Sequence, residues 1–137
     1  MAAKVFQIAD LTIYDELPNI TPLTSFNAGD AAIASDVLCF MLQSVDPTGA
    51  GAPGEKTEGT AVYRCRQVIA QKKVGSGEAC YPGQKLYFDP ATNKVSPNKT
   101  GTAGTNCYMC GWVKLAAGAS ATEVEMNYDG TRALENF

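Results

Sequence analysis

A chain of 137 residues has room for one modest core, and nineteen of its residues are alanine, so large side chains are scarcer than a 45% hydrophobic fraction implies. A net charge of -3 with no run of lysine or arginine argues against a nucleic-acid binder, whose surface must neutralise phosphates. The absence of histidine excludes a Ser-His or Cys-His nucleophile pair, and thirteen glycines with seven prolines interrupt the chain too often for long helices.

Residues 1–25 read as an N-terminal arm. Pro18, Pro22 and the acidic pair Asp15-Glu16 interrupt it, while Val5, Phe6, Ile8, Leu11, Ile13 and Tyr14 offer apolar grip. Two readings are open: an extended arm that docks on another subunit or partner, and an edge strand of the same domain. The start lacks the apolar run of a signal peptide, so the chain is expected to stay in the cytoplasm where it is made. The longest apolar stretch, residues 37–42, is far shorter than the roughly 20 residues of a spanning helix, so no membrane partner is expected.

Residues 26–130 read as a β-domain. Ala28-Gly29-Asp30 forms a turn before residues 31–45, whose β-branched and aromatic content favours a strand over a helix. Residues 46–59 form an exposed loop with four glycines and two prolines. Residues 60–74 follow as a strand whose alternation slips between Cys65 and Val68, the mark of a bulge. Lys85–Asp89 is a strand entered through Pro82-Gly83 and left through Pro90-Ala91-Thr92-Asn93. Residues 106–115 form the next, and residues 122–128 the last. In that last strand Val124, Met126 and Tyr128 alternate with Glu123, Glu125 and Asn127, giving one buried and one wet face. Residues 131–137 read as a tail. The fold expected is all-β: a small barrel or sandwich of six to seven short strands with an extended N-terminal arm.

No constellation carries chemistry. Cys107 and Cys110 have metal-ligand spacing, but a second such pair is missing and this one lies inside a strand, so the thiols read as buried apolar groups and no metal is expected. Residues 49–57 approach a phosphate loop, but Glu55 stands where the lysine should follow the last glycine and would repel phosphates. Glu123 and Glu125 share a solvated strand face rather than forming an acid/base pair. Neither catalytic residues nor a cofactor site is expected.

The stretch "GQKLYFDPATNKVS", a threonine- and glycine-rich loop, and "CGWVKLAAGASATEVEMNY" together resemble a small phage protein family described as a domain of unknown function and sometimes labelled a recombinase. Gly83, Leu86, Tyr87, Phe88, Asp89 and Val95 match the first part of its pattern. Gly111, Val113, Ala117, Ala119, Glu123, Val124 and Met126 match the rest, and Ala28-Gly29-Asp30 is similar to its N-terminal turn. The match spans about two-thirds of the chain.

The resemblance implies a capsid decoration, or cement, protein on the outer surface of a virion, assembled in the host cytoplasm. It would be a homotrimer of β-domains bridging major capsid proteins, with Val5, Phe6, Ile8, Leu11, Ile13 and Tyr14 of the arm carrying the contact to capsid or neighbouring subunit. Other expectations are a head-fibre or host-surface binding module and a nucleotide-binding recombination factor. The broken phosphate loop and acidic balance speak against the last.

Overall fold

The computed structural model describes residues 5–8, 14–20, 28–34, 37–46, 58–99 and 107–132. They form an all-β fold, a single antiparallel sheet that curls into a half-barrel. The strands are β1 (Phe6–Ile8), β2 (Tyr14–Ile20), β3 (Ala31–Ala34), β4 (Val37–Met41), β5 (Gly59–Gln71), β6 (Lys85–Asp89), β7 (Lys94–Ser96), β8 (Tyr108–Val113) and β9 (Glu123–Asp129), followed by a 3-10 turn at Gly130–Arg132. The expected strands at 60–74, 85–89, 106–115 and 122–128 are present as β5, β6, β8 and β9. The expected strand at 31–45 is instead a hairpin, β3 against β4. Most of the 46–59 loop and of the C-terminal tail lies outside the described residues.

β5 is the hub of the sheet. The main path runs β3-β4-β5-β9-β8-β6-β7, and β1 and β2 pair separately with β5. The described parts of the N-terminal segment are thus strands of the domain's own sheet, with Phe6 opposite Ala70 and Tyr14 opposite Cys65. The Val5 carbonyl accepts from the Gln71 N–H, and two residues on, the Lys73 N–H donates to the carbonyl of Val95 in β7. The last strand of the path therefore returns to the end of β5, because alternate N–H groups of a strand face the same neighbour.

Besides the register shifts of β2 on β5, two bulges lie in the curl. The register of β5 on β9 shifts between Cys65 and Val68, where the sequence alternation slips, so both side chains turn inward. The second lies on β8, where Leu86 faces Gly111 but Tyr87 faces Met109, leaving Cys110 as the extra residue. Gly111 has φ +141°, and a Cβ there would overlap the Asn127 carbonyl oxygen. Cys65, Tyr128, Gly111 and Leu86 form one row across β5, β9, β8 and β6, with both bulges beside it.

Inside the curl lies the main core, centred on Phe6, Phe40, Phe88 and Tyr128. The Phe6 ring lies 4.9 Å from that of Tyr128 and 5.4 Å from that of Phe40, and the last two meet edge-on at 5.0 Å. A smaller cluster of Ala32, Cys39, Met41, Val45 and Ala61 lies on the other face. Leu38 and Phe40 enter the first cluster while Cys39 and Met41 enter the second, so β4 is buried on both faces. That is why residues 37–42 show an unbroken apolar run instead of an alternation.

Candidate functional site

The arm residues named from sequence divide sharply. Val5 and Phe6 are buried in this chain's own core, at 2% and 1% exposure. β1 roofs the aromatic cluster, so in this chain both side chains are spent on its own packing. Ile8 is half-buried against the same core. Tyr14 is exposed at 38%, and Leu11 and Ile13 lie outside the described residues. Beside β1, Phe6, Gln7, Ile8, Ala28, Gly29, Phe40, Met41 and Leu42 line a shallow groove of about 280 Å³.

The five cysteines are buried free thiols. Burial pushes the Cys39 thiol up to about 11 and the Cys110 thiol further still, and it also raises Cys65 and Cys80. The Cys110 thiol donates to the Leu86 carbonyl at 3.4 Å and that of Cys39 to Ala32 at 3.3 Å. Thiols held neutral in this way are poor nucleophiles and poor metal ligands. Among the described residues no three histidine, cysteine, aspartate or glutamate side chains gather as a metal site requires.

Beyond the end of β5 the chain builds a platform from two segments, residues 72–84 and 113–122. Lys72 N–H donates to Thr122, Gly75 N–H to Ala119, Gly83 N–H to Val113, and Cys80 and Ala117 exchange a pair of bonds. Beneath it lies Lys72, 1% exposed. Its ammonium donates to the carbonyls of Lys73 at 2.8 Å, Gly118 at 3.1 Å and Ala121 at 3.1 Å, with Ala119 at 3.5 Å. A buried ammonium is tolerable only when carbonyl dipoles replace its water, and here one loop supplies three of the four.

Three of the four exposed large apolar residues among those described sit on these two segments: Val74 at 52%, Tyr81 at 64% and Leu115 at 58%. Residues 115–122 contain no charged side chain, and residues 74–84 contain only Glu78. The Glu78 carboxylate accepts from the Ser96 hydroxyl at 2.6 Å and from the Asn98 amide at 3.4 Å, tying it toward β7. Sequence reasoning passed over this platform because its apolar residues are single and widely spaced. The signal available was the charge-free run at 115–122 opposite a glycine-rich turn.

Nearby, Asp89 closes the β6–β7 turn. Its carboxylate accepts from the Lys73 ammonium at 2.8 Å and the Ala91 N–H at 2.9 Å, and its carbonyl accepts from the Asn93 N–H at 2.9 Å. Asn93 has φ +55°, the left-handed geometry that asparagine tolerates better than most residues. Burial opposes ionisation of Asp89, but the Lys73 ammonium and the Ala91 N–H outweigh it and hold the carboxyl below its ordinary value.

No protein-family model matches the chain, and no curated protein or solved structure matches it.

Proposed function

We propose that this chain is a non-enzymatic phage capsid decoration protein. It binds the outside of the head shell as a homotrimer and stabilises the shell by bridging major capsid proteins. The observation that carries the reading is the resemblance of residues 83–126 to the phage family, and the positions it matches are ones this fold depends on. Gly83, at φ +86°, turns the chain into β6. Leu86, Phe88, Val95, Val113, Val124 and Met126 fill the core, and Gly111 carries the β8 bulge. A pattern that marks core and turn positions marks a scaffold, and a scaffold suits a protein that works by sitting on a surface.

A cement protein needs a rigid small domain and a surface for its partner. The curled sheet supplies the first, with strands tied from both ends of the sequence into β5. Closed rotational symmetry is the common solution for self-assembly, and a trimer matches the three-fold axes of a capsid.

The test is co-sedimentation of the purified chain with expanded heads from the phage deleted for its gene, with the copy number per capsid protein measured. Binding at a fixed stoichiometry, with undecorated heads bursting earlier on heating or at low salt, is the expected result. Heads that are stable without the chain but adsorb poorly to cells would replace this reading with the host-surface one.

A further inference from the structure

Resting on the decoration reading, we infer that the outer face of the curl around Trp112 docks on a carboxylate-bearing segment of the major capsid protein. Strand register places this face. Leu86, Gly111, Tyr128 and Cys65 form an inward row, so the next row points outward. In it Lys85 stands opposite Trp112, Trp112 opposite Asn127, and Asn127 opposite the two bulge residues Arg66 and Gln67. Lys114, two residues past Trp112, reaches across β9 and donates to the Arg66 carbonyl at 3.4 Å. Three exposed cations, Arg66, Lys85 and Lys114, thus gather about one half-buried tryptophan.

Charge selects the occupant. Among the described residues the ion pairs are Arg64 with Asp15 and Lys73 with Asp89, so none of these three cations is matched by a carboxylate. Of the acids on β9, Glu123 accepts from Gln71 at 3.3 Å, Asp129 stands opposite Arg64 one row further on, and Glu125 lies two residues before Asn127. Three cations less Glu125 leave an excess of two positive charges, on a chain whose net charge is -3. The same patch of a second copy is repelled, while carboxylates are drawn in and accept from the guanidinium and ammonium groups. A nucleic acid needs a longer basic track than three cations on an acidic chain.

Trp112 supplies the anchor. Tryptophan and arginine are the side chains in which the binding energy of protein interfaces concentrates. The four strands that carry the row are paired in register, so its backbone is fixed before any partner arrives and little ordering entropy is lost on docking. One such contact is weak, but three held on a trimer act together.

The experiment uses the full chain with an Arg66→Glu/Lys85→Glu double substitution. Both side chains are exposed, so the unfolding temperature should match wild type, and sedimentation velocity reports the oligomer. Wild type should bind expanded heads with an affinity that falls as salt rises, and the double variant should bind about tenfold or more weakly as an unchanged oligomer. Arg66→Gln/Lys85→Gln, which removes charge without adding repulsion, should weaken binding in the same direction by a smaller factor. Equal binding by all three proteins, or binding indifferent to salt, overturns this assignment alone. A variant that falls to a smaller oligomer makes the patch a subunit seam, and a wild type that captures a single-stranded oligonucleotide as tightly as heads makes it a nucleic-acid face; either result overturns it. Wild type that stays in the supernatant overturns the decoration reading, and this assignment with it.

Discussion

The hydroxyl of Tyr128 donates to the carbonyl of Leu38 across 2.8 Å, joining the end of β9 to β4 through the middle of the core. The two residues are 90 positions apart in sequence. Burial pushes the phenol well above its ordinary value, so it stays a neutral donor. Gly130 completes the joint, since a Cβ there would overlap the same Leu38 carbonyl oxygen. Tyr128→Phe keeps the ring contacts with Phe6 and Phe40 but leaves a buried acceptor unmet. It should lower unfolding free energy by about 1–2 kcal/mol in a urea titration, with an unchanged m-value.

Phe6 tests the standing of the N-terminal segment. Its ring packs on Phe40, Phe88 and Tyr128, so Phe6→Ala should destabilise the isolated chain by about 3–5 kcal/mol. An arm that served only a partner would leave the isolated chain's melting temperature unmoved. Calorimetry of the purified variant separates the two.

Lys72 is set apart by what it would leave behind. Lys72→Met fills similar volume but orphans the carbonyls of Gly118 and Ala121. The expected cost is about 1–3 kcal/mol, because the carbonyls lose the ammonium on a loop that water reaches only in part. Hydrogen exchange should rise most at the Gly75 and Cys80 amides, which bond to the same loop.

Asp89 gives the stability a defined acid limb. Its carboxyl lies below the ordinary value in the folded state, so its contribution is complete above the unfolded value of about 4 and is lost as pH falls through the folded value. Asp89→Asn should cost about 1–2 kcal/mol at pH 7, and its deficit against wild type should shrink below pH 4. Denaturant titrations from pH 7 to pH 2 follow the difference directly.

Strands bounded by strong turn chemistry were legible from sequence. Lys85–Asp89 is β6 with both predicted ends, and the Cys65–Val68 slip is the bulge on β5. Residues 31–45 were misread as one strand because β4 is packed on both faces, which erases the period that would have marked a hairpin. β7 is three residues long, too short for a pattern. Lys72-Lys73 looks like a solvated pair, yet Val68, Ala70 and Lys72 continue one inward alternation, and the second lysine alone reaches the surface side to meet Asp89. The platform was the least legible part, since its neighbours Cys80 and Ala117 meet only through long-range pairing.

The place of β9 has a consequence for how the chain comes to be folded. It is the last strand in sequence but lies between β5 and β8 near the middle of the sheet. During synthesis, β5 and β8 therefore have no neighbour on those edges until residue 129 has cleared the ribosome, and the half-barrel forms from distant partners in one late step. Folding should be slow for a domain of this size. The unpaired edges of β5 and β8 are then the segments most open to pairing between nascent copies.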